Sequence, residues 1–145
     1  MRRALALSSI LMLPALGGCA LLGGATVEEL QLAVGECILN TAVSAEGETE
    51  VNSLPRVDCA EAHDGEVFYV EEMTELTEEA LLAGDETCYA EYETYVGVPY
   101  EESVYYYSTM TPTQSSWDLG DRQLACILVG EEGEQLTGSL KGSAS

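Results

Sequence analysis

Four cysteines, Cys37, Cys59, Cys88 and Cys126, stand 22, 29 and 38 residues apart, and a chain of this size has few ways to use them. In an exported domain an even set is read first as disulfides. Four cysteines allow three pairings, and the spacing does not choose among them. Zinc is the alternative, but no interval contains the C-x-x-C knuckle of a structural zinc site. All four are therefore expected to be oxidised, with no metal and no cofactor.

That expectation rests on export, and the N-terminus supplies it. Arg2 and Arg3 are followed by an apolar stretch over residues 4–16, interrupted only by Ser8, Ser9 and Pro14. These are the positive and apolar regions of a secretory signal, too short to span the ~30 Å hydrocarbon core of a bilayer. The stretch ends in Leu16-Gly17-Gly18-Cys19, which resembles a bacterial lipobox. Small side chains fit a signal peptidase at the cut, and a cysteine carries thioether-linked diacylglycerol. An ordinary cleaved signal is the competing reading, but it favours an A-x-A-like site. Acylation of Cys19 with two or three chains would anchor the protein stably, since each buried CH₂ contributes ~0.8 kcal/mol. The expected organisation is a signal peptide at 1–18, a lipidated tether at 19–33 and one domain at 34–142. Its expected place is the extracytoplasmic face of the cell membrane, held there by the lipid.

Cleavage would leave 127 residues, enough for one domain with a single core. Arg56, Arg122 and Lys141 would then face 26 acidic residues, a net charge of −23. Such a field repels nucleic acid and anionic head groups. The acids are scattered in pairs without calcium-loop spacing, so they read as a solvated surface that keeps the domain soluble.

Residues 34–39 read as a first strand carrying Cys37, 40–50 as a polar loop, and 54–59 as extended chain. Asp64-Gly65 signals a turn, and 66–70 alternates as a strand. Thr77 is placed to cap a helix over 78–82, with two acids in its first turn. Gly84 is read as a break, after which Asp85 caps a second helix. Its apolar positions Cys88, Tyr89, Tyr92, Tyr95 and Val96 recur every three to four residues, and Gly97 sits where a helix-ending glycine belongs. Residues 103–108 form the next expected strand, with Tyr105 and Tyr107 on one face and Tyr106 on the other. That alternation favours core packing over a sugar-binding platform. A polar loop at 109–116, a turn at 118–121, a strand at 122–129 and a short strand at 135–140 complete the chain, with frayed ends from 142.

His63 is the chain's one histidine. Asp58, Asp64 and Glu66 are close enough in sequence to orient it, and a Cys59/His63 pair is conceivable as a nucleophile and base. An oxidised Cys59 is no nucleophile, however, and no G-x-S-x-G frame is present. A lone histidine with carboxylates is also short of the three or four ligands zinc takes. His63 is therefore expected to hold the turn after Cys59 by bonding backbone groups. Trp117 is expected to pack against the core near a disulfide. Arg122, beside Asp121, is expected to bond carboxylates of the 58–66 segment or the helix and to stack on Trp117 or a tyrosine.

The order of short motifs resembles the septum formation family. Val34-Gly35-Glu36-Cys37 comes first, then Val57 to Val67 with Cys59, His63, Asp64 and Gly65 within it. Cys88 follows, in a helix ending Tyr95-Val96-Gly97. Pro112, Trp117, Gly120-Asp121-Arg122, Cys126 and Gly138-Ser139-Leu140 then continue the match. Ala62 stands where the family usually has proline. The resemblance implies a link to the cell envelope and division in high-GC Gram-positive bacteria, and no known reaction. With it, the expected fold is a small α+β domain: an antiparallel sheet of four to five strands with the central helices on one face. Two disulfides staple it, with Cys37–Cys59 and Cys88–Cys126 the preferred pairing. The expected function is non-enzymatic, an interaction domain for an envelope or division protein partner. The alternative is an envelope enzyme or a metal- or ligand-sensing protein using His63 and nearby carboxylates.

Overall fold

A computed structural model describes residues 26–39, 54–131 and 134–145. The expected signal peptide, Cys19 and the loop expected at 40–50 lie outside the described residues. In chain order the elements are α1 (Val27–Leu30), β1 (Cys37–Ile38), β2 (Arg56–Val57), β3 (Ala62–His63), β4 (Gly65–Glu72) and α2 (Glu78–Val96). They continue with β5 (Tyr106–Met110), α3 (Gln114–Asp118), β6 (Gln123–Val129) and β7 (Leu136–Thr137).

The run Leu124-Ala125-Cys126-Ile127-Leu128-Val129 has no polar alternation, so a strand there must be covered on both faces. It is: all six side chains are buried. Strand β6 lies inside a five-stranded antiparallel sheet of order β2-β1-β4-β6-β5, while β3 and β7 form a separate two-stranded ribbon. Leu124, Cys126 and Leu128 pack with Phe68 against Cys88, Tyr92, Tyr95 and Val96 of α2. Ala125, Ile127 and Val129 face the other way, against Leu32, Ile38, Leu54 and Val67. The α+β expectation and both expected disulfides hold: Cys37–Cys59 and Cys88–Cys126 are formed.

Three local expectations are corrected. The middle of the chain is one helix of 19 residues, not two. Thr77 caps it, accepting from the Ala80 amide, and Gly97 ends it at φ +96°. Gly84 does not break it, because the glycine serves packing: a Cβ there would stand 2.1 Å from Leu124 Cδ1. Absence of a side chain lets α2 lie close on the sheet, at a helix-propensity cost of ~1 kcal/mol relative to alanine.

Residues 26–33, expected to belong to the tether, pack on the domain instead. Thr26 and Glu29 form a capping box at α1. Leu32 is 5 % exposed, and its backbone N–H and C=O both bond the Gln123 side chain, at 2.7 and 2.8 Å. Arg56 donates to the carbonyls of Glu29 and Gln31. The segment covers the sheet face that α2 leaves open, and burying Leu32 contributes ~2 kcal/mol. The C-terminus is tied down as well. Amides of Gly142 and Ala144 donate to the Tyr95 and Val96 carbonyls, and Ser103 donates to the Ser145 carbonyl.

Candidate functional site

Cys37 and Glu66 are cross-strand partners on β1 and β4. His63 ends β3 three residues before Glu66, and the bend between them is fixed by the Asp64 amide donating to the Ile38 carbonyl. Gly65 follows, where a Cβ would stand 2.6 Å from Ile127 Cγ2. That close approach draws β4 in and turns Glu66 toward the interior. Donor atoms of Cys37, His63 and Glu66 lie within 4.8 Å of one another, and all three residues are buried. His63 and Glu66 are each 0 % exposed.

Each side chain is held. His63 Nδ1 is 2.9 Å from the Glu61 carbonyl. A carbonyl only accepts, so Nδ1 carries a proton, and in the neutral ring Nε2 is the nitrogen with the lone pair. Nε2 is buried and has no hydrogen-bond partner. Glu66 accepts from the Tyr95 hydroxyl at 2.9 Å, the Ser139 hydroxyl at 2.5 Å and the Leu140 amide at 2.6 Å. Burial, and then the bond to Glu66, push the Tyr95 hydroxyl well above its ordinary pKa.

The expectation for His63 is met in part: it bonds the backbone of its own turn, but it is buried, with one nitrogen unpartnered. The sulfur in its donor cluster belongs to Cys37 rather than Cys59, and it is locked in the disulfide. Asp58 is exposed and accepts from the Ala60 amide at 2.9 Å, shaping the turn that contains Cys59. Sequence reasoning treated Glu66 only as a neighbour of His63 and missed that it ties β4, α2 and the C-terminal segment together. A signal exists, since Glu66 shares strand parity with buried Phe68, but it is hidden among 25 other acids.

Asp121, Arg122 and Trp117 form a second group, away from the first. Asp121 is 6 % exposed and accepts from Gln31, Gln123 and Ser116, linking the N-terminal segment to β6 and α3. Arg122 stacks on Trp117 at 3.8 Å, as expected. Among the described residues it bonds no carboxylate. Its Nη1 donates to the Trp117 and Asp121 carbonyls at 2.7 and 2.6 Å. The Trp117 carbonyl lies in the last turn of α3, the end of a helix that favours a cation. Trp117 packs on the core cluster that contains Cys88 and Cys126. Arg122→Ala is expected to cost ~1–2 kcal/mol, from the stacked contact and two carbonyl bonds. Arg122→Lys should recover less than half, because an ammonium does not reproduce the planar stack. Urea unfolding followed by Trp117 fluorescence, disulfides intact, measures both. Equal midpoints for the two variants and wild type would reduce Arg122 to solvated charge.

Most of the tyrosines serve the core, although Tyr89, expected on the inner stripe of α2, is 47 % exposed. Tyr100 packs edge-to-face on Tyr92 and Tyr107, and both of those pack edge-to-face on Phe68, while Tyr106 is 41 % exposed on the opposite face.

A family model described as septum formation matches residues 34–145, which take in every strand of the sheet and both disulfides. No curated protein and no solved structure matches the chain. The chain therefore belongs to the septum formation family, and that description ties it to cell division.

Proposed function

We propose, with that membership as the premise, that the protein is a lipid-anchored domain outside the cytoplasmic membrane that binds a partner in septum assembly and catalyses no reaction. The observation that carries the envelope part is the pair of disulfides, Cys37–Cys59 and Cys88–Cys126. Such bonds persist in oxidising compartments and are rare in the cytosol. They agree with the export signal and the Leu16-Gly17-Gly18-Cys19 motif. The non-enzymatic part is supported by burial: His63, the one histidine, is 0 % exposed, and a substrate cannot reach it without opening the domain.

Cys19→Ala is the direct test of the anchor. The variant should lose acyl label and appear in the medium, and unchanged labelling with full membrane retention would refute the anchor. A deletion strain should show altered cell length or septum placement while retaining its metabolic activities. Purified protein that turns over an envelope substrate would overturn the non-enzymatic reading.

A second reading, a metal- or ligand-sensing protein centred on His63, draws on the unpartnered Nε2. His63→Ala and Asp64→Ala separate the two, since variants that fold and complement the deletion fully leave no role for a site at His63.

A further inference from the structure

An imidazole nitrogen that is buried without a partner costs ~1–3 kcal/mol, and a fold that keeps one is strained at that point unless something else fills the place. His63 Nε2 is such an atom, and what surrounds it is a ligand set. We propose that Cys37, His63 and Glu66, joined by Cys59, form a redox-gated site for Zn²⁺, shut while the Cys37–Cys59 bond is formed and opened by a thiol reductant.

The donor types suit the ion, since thiolate, imidazole and carboxylate are its usual ligands. Tetrahedral bonds of 2.0–2.3 Å place ligand atoms roughly 3.4–3.8 Å apart. The three donors already stand within 4.8 Å of one another, so they draw in by about an ångström. Groups that orient zinc ligands are present without a metal. Nδ1–H bonded to the Glu61 carbonyl is the arrangement that presents Nε2 to an ion. Glu66 is clamped by Tyr95, Ser139 and Leu140, and its Oε2, with one donor, retains a lone pair. The sequence compresses three ligands into Cys59-x3-His63-x2-Glu66, and strand pairing adds Cys37 opposite Glu66.

The gate is the disulfide. While it is closed, neither sulfur is a thiolate and two ligands remain. Cys59 is half-buried, whereas Cys37 is 1 % exposed and both sulfurs of the other bridge belong to residues 0 % exposed, so a small thiol reaches Cys59 first. A thiolate attacks Cys59 Sγ, and the S–S bond breaks with Cys37 leaving as thiolate. A second thiol then displaces the mixed disulfide, giving two cysteine thiols and one oxidised reductant. Zn²⁺ replaces two thiol protons, which pass to solvent. The proposal rests on the cluster and stands whether or not the chain is anchored.

The test uses the full chain in detergent with Cys19→Ser, so that the leader adds no thiol. Mass spectrometry after alkylation identifies the bridge that dithiothreitol opens under native conditions. With Cys37–Cys59 open, the protein should take up one Co²⁺ with a thiolate-to-metal charge-transfer band, and Zn²⁺ should displace it. The oxidised protein should bind at least about a hundred-fold more weakly, having lost the thiolates. Because His63 is the only histidine, its ¹⁵N-labelled ring reports without mutation: Nε2 should shift on Zn²⁺ addition and Nδ1 should stay protonated. Three results would each overturn the proposal: no uptake after opening, uptake with an unshifted Nε2, or equal affinity in the oxidised form.

Discussion

Replacing Glu66 with alanine should lower stability by ~3–5 kcal/mol, although the chain has 25 other acidic residues. Its carboxylate is the acceptor for three groups from two other parts of the chain. Ser139 is exposed and can turn to water. Tyr95 and Leu140, at 8 % and 4 % exposure, cannot. Truncation leaves a buried hydroxyl and a buried amide unpaired, each worth ~1–3 kcal/mol, and a void beside them. Glu66→Gln should recover only part of the loss. Its carbonyl oxygen can replace Oε1, but its amide nitrogen then faces the Leu140 N–H, donor against donor. Urea midpoints read from Trp117 fluorescence give the ranking wild type, Gln, Ala. Hydrogen exchange adds a local readout, because the Leu140 amide should lose protection before the amides of β6. An alanine variant as stable as wild type would show that Glu66 is not the tie between β4, α2 and the C-terminus.

The parts of the fold that sequence revealed are those where one local rule acts alone. The segment at 122–129 reads as a strand, as β6 is, and a stripe at three-to-four-residue spacing put Cys88, Tyr92, Tyr95 and Val96 on the inner side of α2, although Tyr89, read into the same stripe, is 47 % exposed. Thr77 and Gly97 marked the helix ends because capping is a short-range matter. Errors arose where a distant residue decides. Gly84 looks like a break until Leu124 is known to lie against it. Residues 26–32 look like tether because the apolar face they cover is built from β1, β4 and β6. The C-terminal residues look loose because their partners, Tyr95 and Val96, lie 47 and 48 positions earlier. The site followed the same division. His63 and the cysteines were visible as scarce residues, but their convergence with Glu66 depends on β1–β4 pairing that spacing does not encode.

Loss of Cys88–Cys126 should be the most damaging single covalent change. It joins the middle of α2 to the buried strand β6, closing a loop of 38 residues, and loop entropy alone assigns it ~4 kcal/mol. Cys37–Cys59 closes 22 residues, for ~3 kcal/mol on the same account. Packing widens the gap. Cys88 and Cys126 are both 0 % exposed inside the main core, so alanine at both also removes buried sulfur contacts, whereas Cys59 is half-buried. A domain of this size has ~5–15 kcal/mol of total stability, so Cys88→Ala/Cys126→Ala should leave it close to unfolding at 37 °C. Cys37→Ala/Cys59→Ala should still fold, with a lower urea midpoint. Alkylation of unreduced, denatured wild type should find no free thiol at the four positions. A midpoint for the Cys37/Cys59 variant at or below that of the Cys88/Cys126 variant would mean that the β1 bridge, not the helix-to-sheet bridge, secures the fold.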